Sequence, residues 1–151
     1  MRAQAPPATA REVADYFLWK LDEEVGDNLS NLKLQKLLYY AQGFHLAVMR
    51  RELFDSPIAA WKYGPVVESV YHDFKQYRAG AIPKPDGFDP ESIATDTREI
   101  LDEVFEVYGQ FSALRLMEMT HEEPPWRDTP ICAEITQGRM KDYFETLVRN
   151  A

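Results

Sequence analysis

The sequence predicts a mostly α fold, a single compact domain of about six helices with a minor extended segment or short hairpin near residues 53–63. Three observations predict it. Apolar residues recur at three-and-four spacing through most of the chain, the period of a half-buried helix. The segment after Ser30 is apolar well beyond one stripe, as a helix at the centre of a bundle must be. Around residues 53–63 that period gives way to Asp55-Ser56-Pro57 and a short apolar run, the punctuation of a turn and a strand.

Residues 1–8 are rich in Ala and Pro and read as a flexible N-terminus, leaving 9–150 as the domain. Thr9, three residues before Glu12, forms a capping box that opens the first helix. Its inner face is Val13, Ala14, Phe17, Leu18, Leu21 and Val25, and Gly26-Asp27-Asn28 is expected to end it. Ser30 caps the second helix, which runs to about Arg51 and carries Leu34, Leu37, Leu38, Tyr40, Ala41, Phe44, Ala47 and Val48. After the extended segment, Gly64-Pro65 is expected to start a third helix, with Pro65 near its first position. Val67, Val70, Tyr71 and Phe74 form its inner stripe.

Residues 78–90 hold two glycines and three prolines and read as a surface loop. Ile100, Leu101, Val104, Phe105 and Tyr108 define a fourth helix, and Ser112 caps a short fifth that Pro124-Pro125 stops. Residues 128–136 fit no single element. Residues 137–148, with Met140, Tyr143, Phe144 and Leu147, form the last helix.

A chain of 151 residues is one domain, long enough to remove roughly 70% of its unfolded surface from water. Its net charge of −8 opposes nucleic-acid binding on its own, which needs cations on phosphates, and suits a basic protein partner. One cysteine, Cys132, excludes an internal disulfide and any cysteine-cluster metal site, which fits a reducing compartment. With no signal-peptide core and no run of about 20 apolar residues, a cytoplasmic protein outside the membrane is expected.

Three polar-apolar motifs carry the candidate site. In the second helix, Lys33 and Lys36 sit three apart, with Gln35 and Tyr39 nearby, and offer two cations and an amide to a partner's carboxylates or backbone. The same residues also fit the solvated edge of a buried helix. In Trp61-Lys62-Tyr63-Gly64-Pro65-Val66-Val67, a tight turn places Tyr63 half-exposed, and Trp61 packs the corner. In the third motif, His121 is expected to bond a backbone carbonyl at the helix end while Trp126 plugs the core. Metal binding by His121 lacks convergent ligands, because His45 and His72 lie alone on other helices. Cys132 has no nucleophile signature around it and reads as a small buried apolar residue. No catalytic constellation and no cofactor follow.

In this order, the segments Leu29 to Gly43, Trp61 to Val67 and Leu116 to Trp126 resemble the Panacea domain, the SocA-like antitoxin family of bacterial and phage toxin–antitoxin systems. The resemblance runs from about Val13 to about Val148. It implies an antitoxin rather than an enzyme, one that neutralises a cognate protein toxin by direct binding. Lys33, Gln35, Lys36, Tyr39, Tyr63, Gly64, Pro65, His121 and Trp126 are the partner-binding candidates. A second mechanism hands the toxin to a cytosolic protease. The alternative from another class is a small phage- or prophage-associated accessory protein or enzyme using His121.

Overall fold

Thr9 caps helix α1 (Ala10–Trp19) in the computed structural model, which describes residues 5–149: its hydroxyl accepts from the Glu12 N–H, and the Glu12 carboxylate accepts from the Thr9 N–H. The helix ends earlier than expected. The Asp22 carboxylate accepts from the Glu24 N–H and starts a separate 3-10 turn, Glu23–Val25, which Gly26 closes in a left-handed conformation. Val25 is therefore exposed rather than on the inner face. Residues 1–4 of the expected flexible terminus lie outside the described residues. Of the rest, Ala8 is buried and its N–H donates to the Leu53 carbonyl.

Helix α2 (Asn31–Met49) starts at Ser30, whose hydroxyl accepts from the Lys33 N–H. Fourteen of its nineteen residues are buried, so it is the axis on which the other elements pack. Strands β1 (Ile58–Trp61) and β2 (Gly64–Val66) form an antiparallel hairpin, with Trp61 opposite Gly64 and Ala59 opposite Val66. The hairpin corrects the expectation that Gly64-Pro65 begins a helix. Helix α3 (Glu68–Phe74) starts only after Val67. Pro65 is tolerated in β2 because β2 is an outer strand of the sheet, where a missing N–H breaks no ladder on its free side.

The loop at 78–90 is a surface segment tied down along its length, with the Lys84 amine donating to the Leu21 carbonyl at 2.8 Å. The N–H of buried Ile82 donates to the Leu29 carbonyl, and Phe88 meets the rings of Tyr16 and Trp19. Helix α4 (Thr95–Tyr108) follows, then α5 (Ala113–Glu122), capped by Ser112 as expected. Pro124-Pro125 stops α5 and also opens a one-turn helix, α6 (Pro124–Arg127), since proline suits a first helical turn. In the stretch left unassigned, β3 (Glu134–Ile135) pairs antiparallel with β1 and completes a three-stranded sheet, β2-β1-β3. Cys132, just before it, is exposed rather than buried. Helix α7 (Gln137–Arg149) closes the core, making its most extensive contact with α2.

The result is one mostly helical domain with a small sheet, its core centred on Tyr39, Tyr40, Phe17, Phe54 and Phe144. No helix of the described residues is long and apolar enough to cross a membrane.

Candidate functional site

The polar residues of α2 face inward, and each serves backbone that its neighbours leave unpaired. Gln35 accepts from the Val67 N–H at 2.9 Å and donates to Asn31, which donates to the Tyr71 carbonyl. Val67 has no side-chain cap of its own, so Gln35 supplies one from another helix. Two turns further on, Gln42 donates to the Phe54 carbonyl and accepts from the Leu53 N–H, both at 2.7 Å. His45 holds the Arg51 carbonyl at 2.8 Å. Buried backbone groups without partners cost roughly 1–3 kcal/mol each, so these side chains secure the irregular segments around the hairpin.

Lys33 and Lys36 diverge instead of forming one cationic face. Lys33 donates to the Gly109 carbonyl at 2.6 Å. Lys36 is fully buried and runs under the hairpin, where its amine donates to the Pro65 carbonyl at 3.3 Å. Gly64 sits directly over it at φ +109°, and a Cβ there would fall 2.5 Å from Lys36 Cε and 3.0 Å from Thr120 Oγ1. Only glycine fits that conformation and that space together. Burial pushes the Lys36 amine down to about 7.

Tyr39 is also buried, and its hydroxyl donates to Glu123 at 2.9 Å. The Tyr40 hydroxyl donates to the other Glu123 oxygen at 2.8 Å, and the Tyr40 ring stacks on Tyr108 at 3.9 Å. Glu123 reaches them because it precedes Pro124. A residue before proline is pushed out of the helical region, and Glu123 at ψ 136° turns the chain so that its carboxyl enters the core. Burial raises that carboxyl to about 7, against the pull of the Tyr40, Tyr39 and Tyr143 hydroxyls. Burial first, then the Glu123 charge, raises Tyr39 and Tyr40 well above the ordinary phenol value.

What remains accessible is the hairpin tip. Tyr63 is 56% exposed, with the Lys62 ammonium 5.5 Å from its ring centre. Beside the tip, the Trp126 indole N–H donates to the Trp61 carbonyl at 2.8 Å, so α6 is latched to β1. Trp126 is half-buried and packs against the core. His121 stacks flat on it at 4.0 Å and 18°, rather than bonding a carbonyl. The His121 Nε2 is buried with no hydrogen-bond partner among the described residues.

The structure thus brings Lys36, Tyr63, Gly64, Pro65, His121 and Trp126 around one hairpin. It leaves Lys33 on another side and places Gln35 and Tyr39 in the interior. Glu123 was the residue that sequence reasoning missed. Its signal was the glutamate directly before Pro124-Pro125 at the end of an amphipathic helix. Among the described residues, no three His, Cys, Asp or Glu side chains converge as metal ligands. The arrangement offers an aromatic contact surface on a rigid base.

Residues 34–127 match the family described as antitoxin SocA-like, Panacea domain. The chain is 34% identical to antitoxin SocA of Caulobacter vibrioides (strain NA1000 / CB15N), over 78% of this chain and 68% of that relative. No solved structure matches it significantly.

Proposed function

This chain belongs to the antitoxin SocA-like family that carries the Panacea domain, and from that premise we propose that it neutralises a cognate protein toxin by direct binding, in the cytoplasm. The observation that carries the reading is the exposed Tyr63 on a hairpin held rigidly from beneath. Lys36, Gly64 and Pro65 fix the tip, Trp126 latches it, and Tyr63 with the edge of the His121–Trp126 stack meets the toxin. Exposed aromatics that are ordered before binding lose little entropy on contact and dominate interface energies. Gln35 and Tyr39 contribute by shaping the scaffold, and Lys33 by tying α2 to the end of α4. The protein acts stoichiometrically and turns nothing over.

The test is growth of cells in which the neighbouring open reading frame is induced with and without this protein, followed by isolation of the complex. Toxicity relieved only by co-expression, with a stable complex and unchanged toxin level, is the expected result. A toxin level that falls with this protein present would replace sequestration by delivery to a protease. Toxicity that co-expression leaves untouched would overturn the antitoxin reading.

A further inference from the structure

We propose that the groove between α4 and the C-terminal ends of α2 and α7 seats a cationic amphipathic helix of the protein partner. This deepens the antitoxin reading, on which the identity of that partner as a toxin rests. The groove encloses about 280 Å³ and is lined by Phe44, Val48, Val107, Tyr108, Leu147 and Val148, with Glu103 at its edge. Val48, Val107 and Val148 are 50%, 42% and 40% exposed. A β-branched side chain gains nothing at a solvent-facing helical position, where straight chains are the better helix formers. Three helices nonetheless each direct one exposed valine into this one groove.

Charge defines what can enter. Residues 86–106 carry eight acidic side chains against Arg98 alone, a net −7 of the chain's −8. On α4, the exposed Asp96, Glu99, Glu103 and Glu106 follow at intervals of three, four and three, an acidic row on the open surface of the helix, of which Glu103 lines the groove. That stripe is about 15 Å long at 1.5 Å per residue, close to three helical turns. None of the four stands in an ion pair among the described residues, whereas Asp102 holds Lys20 at 2.9 Å. Like charges at this spacing repel one another, so the free protein bears a cost that an apposed row of cations relieves. A second copy of this chain would bring the same acidic stripe, and nucleic acid or an anionic lipid surface would be repelled. An amphipathic helix of about three turns, with apolar side chains toward the valines and Lys or Arg along one flank, satisfies both features of the site.

The experiment uses the full chain, uniformly ¹⁵N-labelled, titrated with an 18-residue amphipathic Leu/Lys peptide and with a Leu/Glu peptide of the same pattern. Expected are amide shifts centred on Val48, Val107 and Val148 with the Leu/Lys peptide only. Val107→Lys and Glu103→Lys are each expected to weaken binding at least tenfold, while Glu134→Lys, an equal charge change on β3, leaves it within about twofold. Val48→Lys repeats the test from another helix should Val107→Lys disturb the fold. Shifts scattered over other acidic surface, equal binding of both peptides, or indifference to Val107→Lys and Val48→Lys would overturn the proposal. So would a dimer in sedimentation that Val107→Lys dissociates, because a second copy would then be the occupant. Co-expression keeps the two readings apart: failure of the wild type to relieve toxicity defeats the antitoxin reading, and the peptide map still decides the groove. A wild type that neutralises, beside a folded Val107→Lys that does so equally well, defeats the groove alone.

Discussion

Phe144 of α7 lies against the backbone of Gly43 in α2 so closely that a Cβ on Gly43 would fall 2.2 Å from its ring. The two helices meet at this glycine, and the Phe144 ring reaches the edges of Tyr39, Tyr40 and Phe44 because nothing stands in its way. Gly43→Ala gains about 1 kcal/mol in helix propensity. It loses more, because Phe144 is fully buried and overpacking a filled core costs roughly 1–3 kcal/mol and rises with the severity of the clash. Net destabilisation is expected in urea denaturation. In a Phe144→Leu background the alanine should cost at least about 0.5 kcal/mol less, the coupling a shared space demands. Additive effects would mean the helices separate without strain.

Lys36→Met is expected to stabilise the protein at pH 7 and to flatten its alkaline pH profile. The Lys36 amine titrates near 7 when folded and near its ordinary 10.5 when unfolded. Between these values the unfolded chain binds a proton that the folded one does not, so stability rises with pH across the window and is lost as pH falls toward 7. The slope is at most about 1.4 kcal/mol per pH unit. Methionine has no such proton, so the difference between variant and wild type should shrink from pH 7 to 9.5. Parallel profiles would place Lys36 in contact with water.

Glu123→Gln has the opposite sign on the acid side. The buried carboxyl keeps its proton up to about 7, while the unfolded glutamate ionises near 4.5. Its contribution is full below 4.5 and is lost as pH rises to 7. Glutamine cannot ionise and keeps acceptor and donor atoms for Tyr39 and Tyr40, so the variant should gain on the wild type between pH 4.5 and 7. Thermal midpoints measured across that range check it, and a constant difference would refute the raised value.

Tyr63→Ala and Tyr39→Ala should separate binding from folding. Tyr63 is largely exposed, so its loss should change stability by no more than about 0.5 kcal/mol. Tyr39 is fully buried and donates to Glu123, so its loss should cost about 3–5 kcal/mol through the cavity and the stranded carboxyl. Toxin neutralisation is expected to fail in both, with Tyr63→Ala retaining its native spectrum. Full neutralisation by Tyr63→Ala would remove the hairpin tip from the interface.

Local chemistry is what the sequence exposed best. The Thr9–Glu12 box, the Ser30 and Ser112 caps and the over-wide apolar face of α2 each involve residues within a few positions of one another, and each appears in the structure. Pro65 was misread because proline suits both a first helical turn and an outer strand, and only pairing of Ala60 with Pro65 decides between them. The two residues of β3 acquire strand geometry from Ile58 and Ala59, a partner their own sequence does not announce. Lys36 carries a charge that argues for the surface. What hides it is a glycine on a different element, and no spacing within α2 encodes that. Glu122 and Glu123 are indistinguishable by type. The proline after Glu123 sends one inward while Glu122 stays exposed.

The placement of β1 between β2 and β3 also dictates how the chain can be assembled. The hairpin can close as soon as residue 66 has been made, but β3 and α7 come from the far end of the sequence, and α2 lies open until they arrive. Non-local pairing of this kind slows folding, because the intervening loop must be closed before its contacts repay it. The domain accordingly has no half that could fold alone. Fragments divided within the 78–90 loop should each remain disordered and regain structure only on mixing, when α2 recovers α4, β3 and α7 from the other piece.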